Sequence, residues 1–193
     1  MKPVFAICAL LLFCGLTGSR VSAQVLEFNG GWQHITSDNG LDGLSAGVAA
    51  WFTSRVSINF NYDTVYDTSK LGVFELTSVG AITVKNHLQD FMIGPRIFLA
   101  HRKIKHYYFE PFGEVRLGGG HLNTRLTQVG VQSISASDDA FQWLIGGGAD
   151  YVLSPHWVAR ANLDLLRTHF ADAAQSRLQF GLGVAYTFGA RRY

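Results

Sequence analysis

Residues 178–188 read LQFGLGVAYTF and alternate without a break. Phe180, Leu182, Val184, Tyr186 and Phe188 form one row; Gln179, Gly181, Gly183, Ala185 and Thr187 form the other. Side chains leave a strand on opposite faces with a period of two, so one face here is bulky and apolar and the other small or polar. About ten residues of such alternation is the length of a tilted strand that crosses a bilayer. A helix crossing the same layer needs roughly 20 apolar residues in a row, and no run approaching that length follows residue 23.

Seven more segments repeat the pattern: residues 24–34, 44–52, 56–62, 90–99, 107–118, 141–151 and 157–165. The third is the cleanest, with Val56, Ile58, Phe60 and Tyr62 alternating with Ser57, Asn59 and Asn61. Pro95 interrupts the fourth. A proline cannot donate to a ladder, so a bulge or an irregular pairing is predicted there. Connections at 53–55, 100–105 and 154–156 are short; those at 36–43, 63–87, 119–139 and 167–177 are long. Asp38-Asn39-Gly40 is a turn signal within the first long one. Residues 73–84 are suited to extending the strands that flank them. Alternating short and long connections predict an all-β fold, an eight-stranded antiparallel up-and-down transmembrane β-barrel with short periplasmic turns and longer external loops. Its place is a bacterial outer membrane.

The first 23 residues read separately. Lys2, an apolar run from Phe5 to Leu16 and the small-x-small site Val21-Ser22-Ala23 describe a cleaved signal peptide, with residues 24–193 as the barrel domain. Both cysteines, Cys8 and Cys14, lie in this leader, so the exported chain carries no thiol or disulfide. Without Lys2 and Arg20 the 16 basic residues fall to 14, equal to the 14 acidic ones. A balanced chain gives no electrostatic reason to bind nucleic acid.

Periodicity does not say which row faces outward, since a soluble lipocalin-like ligand-binding barrel alternates too. The polar row carries ionisable residues of both signs in mid-strand but no lysine, which a wet surface would usually show. It is also rich in Gly and Ala, as a crowded lumen requires. Aromatic residues near the segment ends (Trp32, Phe52, Tyr62, Tyr107, Trp157, Tyr186, Phe188) suit interfacial girdles. All three features put the apolar row against lipid. Nine ionisable residues then point inward: Glu27, Asp90, Arg96, Glu110, Glu114, Arg116, Asp150, Arg160 and Asp164. An eight-stranded barrel has room inside only for side chains, and an isolated buried charge is costly. The nine are therefore expected to form a lumen charge network that plugs the barrel, with a narrow gated pore as the alternative.

Pro111-Phe112 with the Gly118–Gly120 run, the GGGADY of residues 146–151 and the closing GLGVAYTFG resemble the small eight-stranded outer-membrane β-barrels of the OmpA/OmpX type. The resemblance covers residues 24–188. It implies a monomeric barrel with outer-membrane lipid around it, a structural or surface-interaction role, and external loops at 71–84 and 122–134 open to an extracellular ligand. It also implies that the barrel-assembly machinery reads a terminal aromatic strand, here Tyr186 and Phe188, although Tyr193 lies beyond them. The rival within barrels of this size is a lipid-modifying hydrolase. Lipid A deacylases use a His-x-Ser segment, whereas His169 is followed by Phe170-Ala171 and Ser176 is distant in sequence. No GxSxG or HExxH occurs, and none of the seven histidines has ligand spacing with another. The chain is thus read as a non-enzyme with no catalytic, metal or cofactor residues.

Overall fold

The computed structural model describes residues 25–37, 40–71, 82–99, 102–104, 107–128, 133–170 and 173–188. The leader and the final five residues, Tyr193 included, lie outside them, as do His101, His106 and the tips of the long external connections. The described strands are β1 (Val25–Ile35), β2 (Leu41–Trp51), β3 (Val56–Leu71), β4 (Ile82–Phe98), β5 (Arg102–Ile104), β6 (Tyr107–Gln128), β7 (Ile134–Val152), β8 (Trp157–Phe170) and β9 (Ala173–Phe188). Each pairs antiparallel with its neighbour, β1 pairs with β9, and β4 pairs with β6, which closes the sheet. The three residues of β5 continue the edge of β4 along β6. The result is a closed eight-strand antiparallel barrel.

The register can be followed around the wall. From Val25 the partners are Trp51, Ser57, Arg96, Glu114, Gly146, Asp164 and Gln179, and the path returns to β1 at Ile35, ten residues beyond its start. A ten-residue stagger over eight strands tilts them by roughly 40°. Each ladder holds a constant register, but β5 pairs with β6 one residue out of step with β4. Pro95 keeps its pairing with Ile58, but β4 and β6 lack bridges between Ile93–Leu117 and Arg96–Glu114. The proline therefore produces a gap in one ladder and no bulge, because the strand keeps its count and only the missing donor is lost.

Two of the tight connections are built alike. Thr53 Oγ1 accepts from the amides of Arg55 and Val56 at 3.1 and 3.0 Å, and Ser154 Oγ accepts from the amide of Trp157 at 3.1 Å. Such hydroxyl-to-amide bonds close turns that have few backbone partners. At the opposite end, Gly40 adopts φ +71°, a value that suits glycine, in the turn between β1 and β2.

The bulky row faces outward. Phe28, Trp32, Leu44, Phe60, Phe91, Leu117, Phe141, Leu163, Leu182 and Phe188 are exposed around the circumference. A lipocalin-like barrel would turn this row inward onto a ligand. Near the tight-turn end Trp157, Tyr186 and Phe188 pack edge to face, at 5.0 and 4.8 Å between centroids. Nearer the external end, Tyr62 packs on Phe91 at 4.7 Å. These are the two aromatic bands between which an apolar wall sits in hydrocarbon.

The strands run further outward than alternation predicts. The segments 63–71, 82–87, 119–128, 134–139, 167–170 and 173–177, read as connections, continue the ladders. Beyond the membrane both faces of the wall meet water. The apolar contrast between rows fades there while the backbone hydrogen bonds continue.

Candidate functional site: the barrel lumen

The inward row comes from odd positions on β1, β2, β3 and β9 and even positions on β4, β6, β7 and β8. All nine sequence-predicted charges are buried on it. Seven of them join through ion pairs. Glu114 accepts from Arg96 Nη2 at 2.9 Å and from Arg116 Nη2 at 3.1 Å. Arg116 also reaches Asp164 at 3.4 Å. Arg160 grips Asp150 with a two-pronged contact at 2.7 and 2.8 Å. Glu27 links the two halves, lying 2.8 Å from Arg160 and 3.8 Å from Arg96. These bonds tie β1, β4, β6, β7 and β8 across the lumen as well as along the wall. The fork of the arginine head explains the choice of cation, since it can serve two carboxylates at once with little hydration to shed.

Asp90 and Glu110 take other positions. Asp90 faces Asp63 across the β3–β4 ladder, and Gln33 Nε2 donates to Asp63 at 3.3 Å. Among the described residues Asp90 makes no ion pair; its Oδ1 shares the space over Gly120 with the amide of Gln142. Glu110 lies opposite Asp150 in the β6–β7 ladder, toward the tight-turn end. Asp63 was missed because it falls in a stretch read as a loop. Its parity with Ser57, Asn59 and Asn61 was the available signal.

Alternation also missed two apolar layers inside the barrel. Near the tight turns, Val25, Trp51, Phe98 and Phe112 form one buried cluster. Trp51 stacks on Phe98 at 4.8 Å, and Phe98 meets Phe112 at 5.5 Å. Near the external end, Ile35, Leu41, Val65, Leu88, Met92, Leu144 and Leu166 form a second. Arg96 sits 4.5 Å over the Phe112 ring, joining the charged layer to the apolar one beneath it. The seven joined ions thus lie between two apolar clusters, where their mutual attraction is screened little.

The described histidines lie outside the lumen. His34 pairs with Asp42 at 2.9 Å, His121 with Asp139 at 2.7 Å, and His87 contacts Thr64 Oγ1 at 3.0 Å and stacks on Tyr66. Among the described residues no group of three or more His, Cys, Asp or Glu side chains is placed to hold a metal. His169 and Ser176 come closer than their sequence separation suggests. They share the outward face of β8 and β9, with Ser176 opposite Arg167 and His169 opposite Ala174. That diagonal separates their backbones by about 7–8 Å.

No protein-family model matches the chain, and no curated protein is significantly similar to it in sequence. Solved structures do match its fold. Ail, the attachment invasion locus protein of Yersinia pestis, aligns at 17% identity and TM-score 0.58 over 86% of this chain and 100% of its own. The same protein in complex with the heparin analogue sucrose octasulfate aligns at 16% identity and TM-score 0.57, with the same coverage. A major outer membrane protein of Thermus thermophilus aligns at 12% identity and TM-score 0.53, over 84% of this chain and 99% of its own. The architecture is that of the small bacterial outer-membrane β-barrels.

Proposed function

We propose that this protein is a monomeric outer-membrane barrel with a plugged lumen, whose role is structural or surface-interacting, and that residues 1–23 are removed on export. One observation carries the reading: the apolar row faces outward while the ions are buried on the inward row, with apolar clusters toward both ends of the lumen. In water that exterior would be a large continuous apolar patch, a feature that marks membrane or partner contact. Ionic, polar and apolar side chains buried along the inward row support a filled lumen. Recognition then belongs to the external end, where β3, β4, β6 and β7 carry the wall beyond its apolar zone. That Ail was solved with a heparin analogue supports an external ligand for a barrel of this shape. Handling by the barrel-assembly machinery rests on β9, whose Tyr186 and Phe188 face outward at the seam with β1.

Fractionation of producing cells, with gel migration compared before and after boiling, tests the membrane assignment. The expected result is recovery in the outer membrane and a band that shifts on heating. Recovery as a detergent-free soluble protein overturns it.

A further inference from the structure

We propose that the outer face of the β4–β6 pair docks the phosphorylated headgroups of outer-leaflet lipid. This rests on the membrane reading above. Lys85 and Arg125 are direct partners across the β4–β6 ladder, and both side chains are exposed on the outward face. Like charges placed directly opposite one another destabilise a sheet, so an anion between them would relieve the wall. No carboxylate of this chain supplies it among the described residues. Asp67 on β3 sits on the inward row and accepts from Asn86, and the outward Asp139 is held by His121. Among the described residues Arg125 reaches a neutral partner, Ser133 Oγ at 3.2 Å.

The height of the pair suits a headgroup. His87 stacks on Tyr66 at 4.2 Å, at the upper edge of the aromatic wall. Lys85 lies two residues further out, about 7 Å along the strand. The polar layer on each side of a bilayer is roughly 5–8 Å thick, and long basic side chains can bend back toward it along their apolar stems. Charge, position and the absence of an internal counter-ion all point to phosphate carried by lipid at that level.

The test uses full-length protein in detergent, with three probes: bisphosphorylated lipid A, the same lipid with both phosphates removed, and inorganic phosphate. The intact protein should bind the phosphorylated lipid at least tenfold more tightly than the dephosphorylated one, and added salt should erode that preference. The double variant K85E/R125E, shown to be folded by its heat-shifted band, should lose the preference. Arg167→Gln, on the far β8 face, should retain it. Equal binding of both lipids, a salt-independent preference, or an unchanged preference in K85E/R125E overturns the inference. So does inorganic phosphate binding as tightly as the lipid, which would make the face a free-anion site. A folded, membrane-inserted barrel without phosphate preference removes this inference alone, whereas a water-soluble protein removes the membrane reading beneath it.

Discussion

Glu114 serves two arginines, on β4 and β6, through hydrogen bonds. Removing one member of a buried ion pair leaves a charge with neither water nor counter-ion. Glu114→Gln keeps the shape and removes the charge. Arg96 retains Glu27 and Arg116 retains Asp164, so the cost should fall near the lower end for such breaks, about 3 kcal/mol. Urea unfolding in lipid vesicles, followed by tryptophan fluorescence, measures it. A change within about 0.5 kcal/mol, the usual range for inconsequential surface changes, would mean that the network contributes little. The positions of these ions were legible in the sequence because each shares its strand's parity with small or polar neighbours. Their partners were not, because Arg160–Glu27 and Arg116–Asp164 join strands far apart in the chain.

At the scale of the strand, the two faces make different demands on glycine. A Cβ on the inward Gly146 would overlap the side chain and Cα of Asp164, whereas one on the outward Gly113 would find its nearest neighbour at 3.8 Å. Gly146→Ala should therefore destabilise the barrel by about 2 kcal/mol through overpacking, and Gly113→Ala should change little, within about 0.5 kcal/mol. The same vesicle assay compares them; equal effects would contradict the assigned faces. Strand identity and facing were readable wherever one side of the wall meets lipid. The outer third of β6 was not, because in Leu122–Gln128 the outward row (Asn123, Arg125, Thr127) is polar and the leucines fall on the inward row, so the lipid-facing pattern is gone. The apolar clusters escaped notice for a related reason. Trp51, Phe98, Phe112 and Leu144 each fall in the inward row singly, and they become a layer only when the strands are rolled together.

For the molecule as a whole, the apolar clusters decide what the lumen can do. With an apolar cluster toward either end and arginines paired between them, planar bilayers holding the purified protein should carry no steady current above background. Sustained unitary conductance would replace the plug with a pore. Mature length, leader removal and the tips of the external loops belong to segments outside the described residues, and local pattern alone supports those readings.

The seam between β1 and β9 has a consequence for how the cylinder comes to exist. Thr36 and Leu178 exchange hydrogen bonds across 142 residues of chain. The earliest strand made must wait for the last before its second edge is satisfied, so partial products emerging from the ribosome carry two open borders that invite aggregation. Completion is a single late event whose rate depends on joining distant ends and owes little to how fast the individual hairpins form.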